Sequence, residues 1–342
     1  MITKEQIGEI KNYLDKSENP LIFFDDDPDG LCSYLLLMKY LQRGKGVVVK
    51  RAKEMSADYV RKVNELSPDL VVILDIFEVS QDFIDKVNVP IVWIDHHTPS
   101  KRKGTHYYNP KFITPNDERP TTYWCYEITK SSLWLGVLGS ISDWYIPSYI
   151  KEFIKEYPDL FDLKIKDPAE ANFSTRIGEL IKIFNFAVKG TASDSIKNAN
   201  ILLKIENPYE ILNQESSRGK YIYKYAQKKL KFYDSMLKKI LDTKSEGKLL
   251  LFTYPTGDVS YTSYISNHVQ YLKPDKLIII AREHKGYYKM SVRSMKIKVR
   301  PILEKALVGV DGYGGGHEMA CGATVNKNDF DRFIGVFKRE LK

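Results

Sequence analysis

The sequence predicts an α/β protein: an N-terminal domain on a parallel sheet, a helical connector and a smaller C-terminal α/β domain. Three apolar runs lead this reading. Residues 21–24 (LIFF), 70–74 (LVVIL) and 89–94 (VPIVWI) each end in an acid, at Asp25, Asp75 and Asp95. Segments with helical spacing separate them. Past Gly247, more β-rich runs alternate with helical stretches. Alternating strands and helices build a parallel sheet covered on both faces. Strands buried on both faces read as continuous apolar runs.

Taken in order, residues 7–14 read as a surface helix and 21–24 as the first strand. An acidic turn follows, Asp25-Asp26-Asp27-Pro28-Asp29-Gly30, then a Leu-rich helix over 31–41. Residues 46–50 read as a strand, 57–66 as a helix, 70–75 as a strand and 80–87 as a helix. The run 89–97 ends in Asp95-His96-His97. A fourth apolar run, 134–142, reads as another strand end, closing on Gly139-Ser-Ile-Ser-Asp143. Residues 149–207 are mostly helical, with an amphipathic stretch over 176–188. A long helix over 216–242 carries Lys220, Lys224, Lys228, Lys229, Lys231, Lys238 and Lys239; it reads chiefly as a solvated linker and secondarily as a nucleic-acid-facing surface. Gly247 breaks it. Strands are expected at 249–254, 277–281 and 288–292.

The 342 residues suffice for two domains, and 43% hydrophobic with 28% charged residues is ordinary for a soluble globular protein. A net charge of +8 points to a polyanionic partner, nucleic acid before membrane. Three widely spaced cysteines form no C-x-x-C pair and no disulfide framework, which fits a reducing, cytoplasmic setting. Residues 1–16 read as a polar amphipathic helix rather than a signal peptide, and no apolar run reaches membrane-spanning length.

The acidic turn lies at the carboxyl end of a strand, where open α/β sheets place ligands. Four carboxylates within five residues repel one another unless a cation joins them, and hard divalent metals take oxygen ligands. A calcium loop of the EF-hand kind is excluded. Its twelfth position would be Leu36 instead of Glu, and a strand precedes it instead of a helix.

These motifs together resemble the DHH-family phosphoesterases with their DHH-associated C-terminal domain, over nearly the whole chain. Asp27-x-Asp29-Gly30 resembles motif I, Asp75 motif II, Asp95-His96-His97 the motif that names the family, and Asp143 motif IV. Gly314-Gly315-Gly316-His317 resembles the glycine-rich signature of the second domain, and Ser291-Val-Arg293-Ser294 its phosphate-contacting strand. The resemblance implies a DHH domain over 1–205 with a helical extension, a linker helix over 206–246 and a substrate-binding domain over 247–342, with the active site between the domains. It implies two divalent ions, manganese before magnesium. Asp75 would bridge them, Asp25 and Asp27 would hold the first, and Asp29, His96 and Asp143 the second. His97 would face the substrate, and Arg293, Gly314, Gly315, Gly316 and His317 would bind it. Relatives of the RecJ kind usually carry His where this chain has Asp25, and Asp26 competes for that role.

Within the family, motif I and the basic balance resemble RecJ-like single-strand exonucleases of the archaeal kind, acting on single-stranded DNA or RNA alongside replication or repair proteins. The expected reaction is hydrolysis to mononucleotides with Asp75 and His97 catalytic. A short-oligonucleotide phosphodiesterase of the nanoRNase type is the alternative, since the chain is short for the extra domain of bacterial RecJ. A catalytically silent replication scaffold is the rival from another class; the near-complete ligand set argues against it.

Overall fold

A computed structural model describes residues 1–50, 54–255 and 260–341. The chain divides into two compact units, Met1–Gln227 and Lys228–Lys342.

The first unit opens with α1 (Lys4–Lys16). Thr3 caps it: its hydroxyl accepts from the Gln6 N–H at 3.1 Å, and the Gln6 side chain accepts from the Thr3 N–H at 2.9 Å. Ile10 and Leu14 are buried, so one face is core rather than surface. Then come β1 (Pro20–Asp25), α2 (Pro28–Leu41), β2 (Lys45–Val49), α3 (Val60–Leu66), β3 (Leu70–Leu74), α4 (Gln81–Lys86), β4 (Ile91–Ile94) and β5 (His106–Tyr108). The five strands form one parallel sheet in the order β2-β1-β3-β4-β5. Strand β5 has no counterpart in the sequence reading, because His-Tyr-Tyr is too short and too polar to show a pattern.

The sheet is covered on both faces. Leu21, Phe23, Val71, Ile73 and Trp93 point to one side, against Val63, Phe83 and Ile84 of α3 and α4. Phe24 points to the other side and stacks on Tyr34 of α2 at 4.4 Å. This is the two-residue alternation of a strand. Register aligns Phe24 with Leu74 and Leu74 with Ile94. Asp25, Asp75 and Asp95 therefore reach the carboxyl edge of the sheet at one level. The chain leaves β1 first to one side and then to the other, so this edge holds a topological switch point.

The helices α5 (Thr121–Thr129), α6 (Leu133–Ser142), α7 (Ile150–Glu156), α8 (Pro168–Ser174), α9 (Arg176–Ala187), α10 (Ala192–Leu202), α11 (Tyr209–Leu212) and α12 (Ser217–Asp242) follow. Here the expected fourth strand end is corrected. The apolar run before Asp143 is helix α6, and Asp143 is its C-cap. A short apolar run does not by itself distinguish a buried helix from a strand. The deciding residue is Gly139. A Cβ there would lie 2.3 Å from Thr122 Oγ1 and 2.7 Å from Cys32 Cβ, so α6 approaches α5 and α2 at backbone distance.

The second unit begins within α12 and continues with β6 (Leu249–Tyr254), α13 (Thr262–Leu272), β7 (Leu277–His284), β8 (Tyr287–Arg293), α14 (Val299–Ala306), β9 (Gly312–Gly316), β10 (Ala320–Asn326) and α15 (Phe330–Glu340). Its sheet order is β6-β7-β8-β10-β9, with β6 and β7 parallel and the other pairs antiparallel. Leu277, Ile279 and Val292 pack against Leu303, Phe333 and Phe337 of α14 and α15. The buried residues of α12 (Gly219, Ile222, Ala226, Leu230, Tyr233, Met236 and Ile240) recur every three or four positions, and Lys220, Lys224, Lys228, Lys231 and Lys238 are exposed. No helix among the described residues is long and apolar enough to cross a membrane.

Gly139→Ala is expected to destabilise the protein by about 1–3 kcal/mol, the usual cost of overpacking a close contact. Urea unfolding measures it; an unchanged midpoint would contradict the α5–α6 contact.

Candidate metal centre

At the end of β1 the chain turns into α2 through Asp27, the N-cap, whose Oδ1 accepts from the Gly30 N–H at 2.9 Å. Gly30 is required there: a Cβ would meet the Asp25 carbonyl oxygen at 2.7 Å. Asp25, Asp27 and Asp75 each offer a carboxylate oxygen, and these atoms lie within 4.8 Å of one another. Asp26 turns away. Its carboxylate is 3.4 Å from Lys50 Nζ and 3.9 Å from Lys189 Nζ, and Lys189 also donates to its carbonyl at 2.8 Å. Of the two acids, Asp25 is the one grouped with Asp27 and Asp75.

Asp75 is 2% exposed and sits at φ +59°, a left-handed backbone. Such a conformation costs of order 1 kcal/mol, is least costly for Asp or Asn among non-glycine residues, and concentrates at functional sites. Its N–H donates to the Ile94 carbonyl at 3.0 Å, and Thr121 Oγ1 donates to its Oδ1 at 3.1 Å.

A second group joins it. His96 Nε2 lies 3.5 Å from Asp75 Oδ1, 3.4 Å from Asp143 Oδ2 and 3.8 Å from Asp29 Oδ2. Asp29, His96 and Asp143 form a donor set within 4.8 Å, and Asp75, His96 and His97 form another. Asp29 is anchored at the start of α5. The Thr121 and Thr122 N–H groups donate to its two oxygens at 3.1 and 2.7 Å, and Thr122 Oγ1 donates to its carbonyl at 2.9 Å. The first turn of a helix has unpaired N–H groups and a positive dipole end, so it suits a carboxylate.

His97 differs from His96. Its Nδ1 lies 2.7 Å from Asp95 Oδ1, and its backbone N–H donates to Asp95 Oδ2 at 3.1 Å. Asp95 is fully buried and also accepts from the Tyr107 hydroxyl at 3.0 Å and Asn109 Nδ2 at 3.1 Å. Burial works against a charge on His97, but the hydrogen bond and charge of Asp95 prevail and push its pKa up to about 9. Burial, helped by the charge of His97, pushes His96 down to about 3. His96 is thus a neutral imidazole, the metal-ligating form, and His97 carries a proton at neutral pH.

The carboxyls go the other way. Burial first, then Asp27 and Asp26, raise Asp25 to about 7. Burial and Asp27 raise Asp143 to about 6. Asp29 and Asp75 are raised well above the ordinary range by burial and by the neighbouring acids. So many buried acids cannot ionise together without a cation. Oxygen donors with one neutral imidazole fit manganese or magnesium.

Known proteins share this arrangement of sequence and fold. A model of the DHH family, N-terminal domain, matches residues 20–128, and a model of the DHHA1 domain matches residues 261–342. The chain is a DHH-family protein with a DHHA1 domain. The DHH match contains the acidic turn, Asp75 and the two histidines. Its fold is that of RecJ from Thermus thermophilus, solved with Mn2+, at TM-score 0.68 and 14% identity over 98% of this chain and 54% of that one. The chain spans about half the length of that RecJ. An exonuclease RecJ bound to manganese matches at TM-score 0.65 and 17% identity over 100% of this chain and 95% of that one. The DHH domain of a member of the S1p family of ribosomal proteins matches at TM-score 0.63 and 16% identity, covering 99% and 90%. Among curated proteins, no sequence matches it significantly.

In the DHHA1 domain Arg293, Gly316 and His317 lie at one end of the second sheet. Arg293 of β8 pairs with Ala320 of β10, and Cys321 pairs with Gly316 of β9. Arg293 is no loose surface residue. Its Nε donates to Asn267 Oδ1 and its Nη1 to the Cys321 carbonyl, both at 2.8 Å, and burial lowers its pKa to about 10. The three glycines lie in the edge strand β9. His317, exposed, opens the turn into β10, its N–H donating to the Ala320 carbonyl at 2.9 Å. Gly314 and Gly316 have a structural cause, since a Cβ would meet the Gly322 carbonyl oxygen at 2.8 Å or the Ala320 carbonyl oxygen at 2.4 Å. At Gly315 a Cβ would meet nothing within 4 Å. His268 is buried, with its Nδ1 2.7 Å from the Tyr233 hydroxyl.

Sequence reasoning missed Thr121, Thr122, Asn109, Lys50, Lys189 and Asn267, and gave Asp95 no role of its own. Only Asp95 carried a signal, its place in the Asp-His-His run.

The raised carboxyls set a pH dependence. In the unfolded chain an Asp ionises near pH 3.8; folded Asp143 and Asp25 hold their protons to about pH 6 and 7. The folded state then binds more protons in this window, so metal-free protein should lose stability as pH rises from about 4 to about 7. Added manganese should raise Tm, and by more at pH 8 than at pH 5, because it binds the ionised forms. Differential scanning calorimetry checks both trends; a manganese shift independent of pH would contradict the site.

Proposed function

We propose that the chain is a metal-dependent phosphodiesterase, a RecJ-like exonuclease that hydrolyses single-stranded nucleic acid to mononucleotides. The observation that carries this is Asp75, shared between an all-carboxylate donor set and a set containing His96. Asp25, Asp27 and Asp75 would hold one divalent ion, and Asp29, Asp75, His96 and Asp143 a second, with manganese favoured by the RecJ structures that carry it. Bound there, the ions would lower the pKa of water and neutralise charge on the phosphoryl oxygens.

The chain's own groups account for the rest. Thr121 and the N–H groups of α5 hold Asp75 and Asp29 in place while the acids ionise. His97 is protonated at neutral pH and its Nδ1 is engaged with Asp95, so its free Nε2–H is the proton donor toward the departing oxygen. Arg293, held by Asn267 and the Cys321 carbonyl, would bind a phosphate of the substrate. The net charge of +8 suits a polyanion.

End-labelled single-stranded DNA and RNA of several lengths, incubated with manganese or magnesium, test this reading. Stepwise release of mononucleotides is expected, and Asp75→Asn should reduce the rate by at least ~100-fold, the order of a two-metal role. Cleavage confined to a few nucleotides would instead indicate a short-oligonucleotide phosphodiesterase, and wild-type protein without metal-dependent cleavage would overturn both.

His97→Gln should lower kcat ~100-fold or more, the range of a lost general acid. Asp95→Asn removes the partner that raises His97, so the alkaline limb of kcat should move to lower pH from near 9. An unmoved limb would show that His97 does not supply the proton.

A further inference from the structure

Three exposed aromatic residues belong to segments that also carry residues of the metal centre or their supports. Phe77, 47% exposed, follows Asp75 by two residues, and its ring centre is 5.8 Å from the His97 imidazole at an interplanar angle of 74°. Phe112, 52% exposed, sets its ring edge-on to Tyr107 at 5.1 Å, and Tyr107 is the residue that donates to Asp95. Trp144, 41% exposed, directly follows Asp143. Its backbone is left-handed, at φ +63°, with its N–H donating to the Ile141 carbonyl at 3.0 Å. Its ring is tilted against that of Phe173, with the centres 6.0 Å apart, and the residue is still 41% exposed. Lys111, next to Phe112, completes the rim; its charge is felt at both His96 and Asp143.

We propose that Phe77 and Trp144 form a base-stacking rim at the metal centre, so that the substrate is recognised through the nucleobase beside the scissile phosphate. This rests on the phosphodiesterase reading and narrows it. Inorganic pyrophosphate and polyphosphate offer no flat apolar face, and water-exposed aromatic rings would contribute nothing to holding them. A nucleotide offers such a face one sugar away from phosphorus. Aromatic side chains bind bases in a sequence-tolerant way because every base has a π-face. Phe112 and Lys111 extend the rim, Lys111 as a phosphate partner.

Trp144 supplies its own reporter. The chain has four tryptophans, and Trp93, Trp124 and Trp134 are at most 3% exposed. Adenosine 5′-monophosphate added to the magnesium-loaded full chain should quench tryptophan emission saturably, and ribose 5-phosphate should not. Trp144→Phe should lose the quench but keep binding by calorimetry, since a ring remains. Trp144→Ala and Phe77→Ala should each weaken the nucleotide about tenfold, and Phe77→Tyr should restore it. Circular dichroism verifies the fold of each variant, whose altered side chain is half in water. Ribose 5-phosphate binding as tightly as the nucleotide, absence of nucleotide binding, or unchanged affinity in both alanine variants would overturn the proposal. The two readings fail separately. Nucleotide binding without strand hydrolysis removes the phosphodiesterase and leaves the rim, whereas hydrolysis with base-independent binding removes the rim alone.

Discussion

The mutual repulsion of buried carboxylates governs the first unit. Asp29 and Asp75 are almost wholly buried, and Asp25, Asp27 and Asp143 crowd the same space. Burial of a charge costs several kcal/mol unless it is paired, and like charges in a poorly polarisable interior add to this. The structure answers with devices that have no other reason to coincide. The α5 N-terminus is spent on Asp29. Asp75 takes a left-handed backbone and a hydroxyl donor. Gly139 lets α6 approach α5 and α2 closely, and Gly30 lets the start of α2 lie against the backbone of Asp25. A cluster so supported could hold a cation.

The same field separates two adjacent histidines. His96 faces the carboxylates, yet burial and a charged neighbour keep it neutral. His97 has its own buried acid, and Asp95 is itself fixed by Tyr107 and Asn109. One imidazole is then fit to ligate and the other to carry a proton. The division of labour comes from which carboxylate each ring meets, and the Asp-His-His run achieves it in three consecutive residues.

Much of this is legible in the sequence because a strand buried on both faces leaves an unbroken apolar run, and the acid that ends the run marks the sheet edge. β1, β3 and β4 were readable for that reason, and with them Asp25, Asp75 and the two histidines. Asp143 was found for its position and misread in its setting. A run with glycines at 136 and 139 looks like a strand until helix–helix contact is known. β5 was illegible because three residues carry no period. Thr121 and Thr122 were illegible because they act through backbone N–H groups on an acid 92 residues away. In the second unit, only strand pairing shows that Gly314 and Gly316 serve the close approach of β10.

The oddity at Asp25 is best understood together with Asp26 and Lys189. The resemblance to RecJ places a neutral imidazole where this chain has a carboxylate, so the centre gains one negative charge. Five carboxylates would meet the four positive charges of two divalent ions, leaving one in excess. Lys189 lies against Asp26, and its charge opposes the rise of Asp25. Lys50 shares the same carboxylate. The pair of lysines more than neutralises Asp26, and the surplus falls beside Asp25. Asp26 thus keeps two cations next to the acidic turn, and the charge of one of them, Lys189, works against the burial and the neighbouring acids that raise Asp25.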